Sequence, residues 1–138
     1  MTTTHTLVPY IDRPNKNGRQ YDDEAIDKIV AEFNTRETPM YGQMGFPESP
    51  IQITSNASHE VTKIWKDGTQ LMGEVAVFDN HDGKILQKLI EAKQVVFRSR
   101  SAGTIAEDGT VNIHALYSFD AIPTDNDAFK TEINDTRR

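Results

Sequence analysis

No cysteine occurs anywhere in the chain. Disulfides, thiolate metal sites and cysteine nucleophiles are excluded together. Long apolar runs are lacking too, and none approaches the length that crosses a bilayer. The opening residues, Met1-Thr2-Thr3-Thr4-His5, contain no basic segment ahead of an apolar one, so no secretory signal is expected there. The 8 glycines fall mostly singly in turn-like contexts, which leaves no phosphate-cradling loop. Basic residues are outnumbered, 15 Lys and Arg against 21 Asp and Glu, for a formal charge of -6. Such a surface repels nucleic-acid phosphate unless its bases gather into a patch. Arg98 and Arg100 are close together, but two arginines are not a patch. Neither nucleic acid nor membrane is expected as a partner.

What is present suits a single folded unit. With 26% charged and 36% apolar residues over 138 positions, the chain is too apolar for a disordered tail and has mass for one core. One soluble domain over residues 1–138 is expected. Residues 6–11 read as a short strand that Pro9 pushes toward a sheet edge. Turn residues follow at 14–18. Asp22 or Asp23 then caps a helix to about Phe33, with Ile26, Ile29, Val30 and Phe33 at the spacing of one buried face. Residues 40–55 read as a strand and a long loop.

Residues 59–65 and 69–78 are β-prone runs joined across Lys66-Asp67-Gly68, a hairpin signature. In the second run Leu71, Gly73, Val75 and Val77 share one face, and both faces are expected to be partly covered. Asn80 or Asp82 caps a second helix to about Lys93, with Ile85, Leu86, Leu89 and Ile90 as its buried stripe. A strand at 94–97 follows, then a hairpin around Glu107-Asp108-Gly109 whose second arm runs to Phe119. Beyond Pro123 the chain is polar and lacks periodicity. The order predicts an α+β fold: a small, mainly antiparallel β-barrel or curved sheet with two flanking helices.

Several segments, in order, resemble the prohead (capsid-maturation) protease family of tailed phages, of the myovirus prohead core protease type. Asn17-Gly18-Arg19-Gln20-Tyr21 before the first helix is similar to that family's asparagine-glycine-arginine-x-tyrosine turn. The stretch from Met40 through Gly42-Gln43-Met44-Gly45-Phe46-Pro47 to Pro50 sits where the family carries glycine-glutamate-leucine-x-histidine-proline. Ala57-Ser58-His59-Glu60 is similar to its serine-histidine strand, and Leu71-Met72-Gly73-Glu74 and Asp82-Gly83-Lys84-Ile85-Leu86 to its hairpin return and helix start. Ser99-Arg100 falls on its serine-serine-arginine-glycine segment, and Phe119-Asp120-Ala121-Ile122-Pro123 resembles its closing strand. The likeness runs over about residues 17–129. It implies a barrel ringed by helices, akin to the herpesvirus assemblins, and serine proteolysis of scaffold and capsid precursors.

The resemblance breaks at the chemistry. A serine nucleophile needs a base near neutral pH, normally histidine. The family's histidine position is Phe46 here, and no histidine lies between His5 and His59 to replace it. The paired serines align with Arg98 and Ser99, and the following glycine with Ser101. If activity survives, Ser99 with His59 or His114 across neighbouring strands is the candidate set. Otherwise Ser99 and Ser101 are strand hydroxyls bonded to water or backbone. His81, Asp82 and the scattered Asp79 and Asp120 lack metal-site spacing, so no metal or cofactor is expected.

Two functions remain. One is a non-catalytic phage head protein that binds the major capsid protein or other head proteins, as cement, decoration or assembly component, with a homo-oligomer also open. The other is an active maturation protease. Either belongs to the phage head, after synthesis in host cytoplasm. Residues 40–55 with the strand at 97–101 are the expected partner-binding surface: Tyr41, Met44 and Phe46 supply the apolar and aromatic anchors, Arg98 and Arg100 the cationic ones.

Overall fold

The computed structural model describes residues 1–14, 18–45 and 57–124. In chain order the elements are β1 (Thr2–Val8), α1 (Asp23–Thr35), β2 (Met40–Gly42), β3 (His59–Asp67), β4 (Gln70–Val77), α2 (His81–Glu91), β5 (Val95–Ile105) and β6 (Val111–Pro123). The class is α+β, with antiparallel ladders and two helices. Both hairpins form where the turn residues call for them. Gly68 takes φ +61° between β3 and β4, a left-handed conformation that glycine adopts without a side-chain clash. β5 and β6 pair from Val95↔Pro123 to Ile105↔Val111.

The first strand lies earlier than residues 6–11. It covers Thr2–Val8 and pairs with β4, Thr2 opposite Ala76 and Val8 opposite Leu71. Pro9 has no N–H for a ladder, so the strand stops there instead of carrying through it. The register brings Leu7 over Gly73, where an added Cβ would lie 2.4 Å from the leucine Cδ1. Along β4, Leu71, Gly73, Val75 and Val77 are buried while the intervening side chains are half-covered.

The strands do not close into a barrel among the described residues. They form a four-stranded sheet, β1-β4-β3-β2, and the separate β5-β6 pair. The reason lies in β2, which is three residues long. Past its end the chain touches β6 through the isolated parallel bridge Met44↔Ala121. There Ala121 N–H donates to Gln43 O at 2.9 Å and Gly45 N–H to Ala121 O at 2.8 Å. On the opposite side β1 meets β5 by side chains, His5 against Phe97 with ring centroids 4.7 Å apart.

The helices follow their caps. Asp22 Oδ1 accepts from Ala25 N–H at 2.8 Å, and Asp23 and Glu24 place negative charge in the first turn of α1. Ile26 and Ile29 are fully buried, with Val30 and Phe33 packed behind them. Near its C-terminal end, Glu32 Oε1 accepts from Leu116 N–H and Arg36 Nη1 donates to Leu116 O, docking the helix on β6. In α2, Asn80 Oδ1 accepts from Gly83 N–H at 2.7 Å. Its buried stripe is narrower than the pattern suggests: Leu86 is covered and Ile85 is 39% exposed. The core joins both sheets and both helices through Leu7, Ile26, Ile29, Met40, Leu71, Leu86, Phe97, Leu116 and Phe119.

Candidate functional site

The turn before α1 does more than reverse the chain. Gln20 N–H donates to Gly109 O, and Val111 N–H donates to Gln20 O, both at 2.8 Å. This parallel bridge pins the turn to the start of β6. Glycine is required at 109, because φ is +91° and a Cβ would lie 1.9 Å from Gly18 O. Arg19 and Tyr21 are thereby held across a cleft of about 190 Å³ from Arg98, Ser99, Ser101 and Thr104 on β5. The charged residues lining the cleft are both arginines. Within it, Tyr21 Oη lies 3.2 Å from Ser99 Oγ, and either hydroxyl can donate.

His59 sits behind the same strands. Its Nε2 is 2.8 Å from Phe119 O, and its Nδ1 is 2.8 Å from Ser58 Oγ. A carbonyl only accepts, so Nε2 carries the proton, and Nδ1 accepts from the Ser58 hydroxyl. The ring is fully buried and lies edge-on to Phe97 at 5.5 Å. Burial pushes its pKa down to about 4, against a smaller upward pull from the Phe119 carbonyl. It reaches β6 because Gly42 has no side chain, a Cβ there lying 2.1 Å from Nε2.

Ser99 and His59 therefore address the same residue without meeting. Phe119 is the cross-strand partner of Ser99 and also the carbonyl that His59 holds. Neither ring nitrogen of His59 is directed at Ser99. His114 is exposed on β6, between the residues paired with Ala102 and Gly103. At a strand rise of about 3.4 Å per residue it is on the order of 10 Å along the ladder from Ser99.

The residues expected to meet a partner divide into two sets. Tyr41 is half-buried, its ring edge-on to Phe78 at 5.6 Å and its carbonyl accepting from Ser118 Oγ at 2.7 Å. Met44 packs on the core, and Arg98 lines the cleft. Arg100, by contrast, is 9% exposed and faces inward. Its Nη2 donates to Asp120 Oδ1 at 3.2 Å and its Nε lies 3.1 Å from Oδ2. Asp120 Oδ1 also accepts from Gln43 N–H at 2.9 Å. Burial pushes the Asp120 carboxyl up, opposed by the Gln43 amide and the Arg100 charge. Phe46 lies outside the described residues.

Four participants were not among the expected site residues: Tyr21, Gly42, Ser58 and Asp120. A faint signal existed for one of them, since Asp120 interrupts the apolar run Phe119 to Ile122. Among the described residues no three His, Asp or Glu side chains gather as a metal site. No helix among them is long and apolar enough to cross a membrane.

The fold is similar to that of a phage capsid assembly protease. The structure is similar to that of the bacteriophage T4 capsid assembly protease, gp21, with a TM-score of 0.70 over 88% of this chain and 80% of that one. Sequence identity is 20%, so the likeness establishes the fold alone. No family model matches the chain, and no curated protein matches it.

Proposed function

We propose that this chain is a capsid-protease fold that serves as a phage head protein, binding capsid subunits without cleaving them. The observation that carries the reading is the engagement of His59 by both ring nitrogens, with Ser99 facing Tyr21. A base must present an unprotonated nitrogen to the hydroxyl it activates. The unprotonated nitrogen of His59 is turned to Ser58, deep in the core. Phenylalanine at position 46, where the resembled family has its histidine, supports the same conclusion. The role is cement or decoration on the shell, or a component of the assembling head, with the major capsid protein as the partner. Its place is the virion, after synthesis in host cytoplasm.

The test is copy number and attachment. Quantitative mass spectrometry of purified virions, with co-sedimentation on assembled capsids, is expected to find the protein at a stoichiometry matching capsid sites. A trace amount, or none, would overturn the reading.

A second reading is an active maturation protease, favoured by one observation: Ser99 and Ser101 line an open cleft. It requires a base other than His59 as placed here. Specific cleavage of a capsid or scaffold precursor, abolished by Ser99→Ala, would establish it.

A further inference from the structure

Besides the side-chain contact of β1 with β5, the two sheets are hydrogen-bonded along a seam where β2 and the residues after it run beside β6. The backbone bonds across it are those of Gln43, Gly45 and Ala121. The rest is made by side chains: Gln43 N–H to Asp120, Ser118 Oγ to Tyr41 O, and His59 Nε2 to Phe119 O. His59 is the unusual member, because it comes from β3 and passes beneath Gly42 to reach β6. It supplies a donor where the short β2 offers none.

We propose that Ser58 and His59 form a proton-operated latch on this seam, closed while the imidazole is neutral and released when the ring takes up a second proton. The geometry sets the direction. In the closed state Nδ1 accepts from the Ser58 hydroxyl; a proton there reverses that bond, with the hydroxyl accepting, and leaves a charge on the ring. The added charge would sit in a fully buried site, bonded to one hydroxyl and one carbonyl, with no carboxylate in contact.

The charged and titratable groups around it do not compensate. From β1 comes His5, which also packs on Phe97; its own pKa is lowered by burial, and any charge on it would further disfavour a charged His59. On β3 the neighbour is Glu60, on the opposite face of the strand. β5 and β6 contribute Arg98, Arg100 and Asp120, the last already held by Arg100 and Gln43. β2 contributes none, and the partner of His59 on β4 is Val77.

The sign follows from linkage. The closed seam holds His59 at about 4, against 6.5 for a solvated ring. A folded-state value below the solvated one means the open seam binds the proton more tightly. The closed seam is thus fully favoured above pH 6.5 and loses ground as pH falls toward 4. The opening equilibrium should rise roughly a hundredfold between pH 7 and pH 4.

The latch does not depend on the proposed function. Its test is amide hydrogen exchange by NMR on the full chain from pH 7 to pH 3.5, corrected for intrinsic exchange, with the histidine ring nitrogens followed in parallel. Gly45 and Ala121 amides are expected to lose protection in step with His59, while amides at the centre of the β3–β4 ladder keep theirs. At pH 7 His59 should be the neutral Nε2–H tautomer. In His59→Gln the amide replaces both bonds without titrating, and the pH response of the seam should vanish. Loss of protection at the same pH in that variant would assign the response to Asp120 and overturn the latch. So would simultaneous loss across both sheets, or a His59 titration near 6.5, which is read in the unaltered protein even if the variant fails to fold.

Discussion

Tyr21 Oη and Ser99 Oγ face each other at 3.2 Å across a cleft whose charged lining is two arginines. A phenol hydroxyl is not the general base that a serine nucleophile needs. Ser99 should therefore behave as an ordinary alcohol. Incubation with a fluorophosphonate probe is expected to leave Ser99 and Ser101 unlabelled by intact-mass analysis. Stoichiometric labelling at either would replace the head-protein reading with the protease one.

Gly42→Ala should be strongly destabilising. Its Cβ would lie 2.1 Å from His59 Nε2 and 2.5 Å from the Phe119 carbonyl oxygen, which is backbone and cannot swing aside. Overpacking of this kind costs about 1–3 kcal/mol or more. Gly73→Ala meets the flexible end of Leu7, so its penalty should be smaller. Urea unfolding of the two variants gives the comparison, and equal midpoints would contradict the placement of His59.

Arg100 and Asp120 are a buried pair, with side chains 8% and 5% exposed. Removing one partner strands the other charge, and Arg100→Ala should cost about 3–5 kcal/mol. Replacing both with apolar residues of similar size, Arg100→Met with Asp120→Leu, should cost less than the single change. The Gln43 N–H then loses its acceptor, so some deficit remains. Chemical denaturation of the single and double variants decides.

Tyr41 and Arg98 test the partner surface, the residues expected to face a partner without anchoring the core. Tyr41→Ala with Arg98→Ala should leave the melting temperature within a few degrees of wild type, and occupancy on assembled capsids should fall. Wild-type occupancy would remove this surface.

Local chemistry was legible in the sequence: both caps, both hairpin turns and the buried stripe of α1 lie where Asp22, Asn80, Gly68, Gly109 and the Ile26–Ile29 spacing place them. That the described strands stay open rather than closing into a barrel was not, because closure depends on the length of β2, and a three-residue strand has too little periodicity to measure. The site was readable only in fragments. His59 and Ser99 stand out as residue types, but their shared dependence on Phe119 arises from the β5–β6 register. Tyr21 looked like turn residue and helix lead-in, since nothing local reveals that residue 20 will bridge to residue 110. Arg100 read as a surface cation because its burying partner, Asp120, is twenty positions away.

The strand order carries a consequence for how the chain is made. β5 and β6 are neighbours in sequence, so their ladder closes a short loop and can form as soon as both are available. β1 has no such neighbour. Its partner, β4, begins at Gln70, so docking β1 must close the long loop between Val8 and Leu71 before any ladder can take it up. Until then its threonine-rich backbone stays hydrated, and Leu7 and Val8 have no core to enter. Addition of β1 to the four-stranded sheet should lag both hairpins, as contacts between distant segments generally lag local ones.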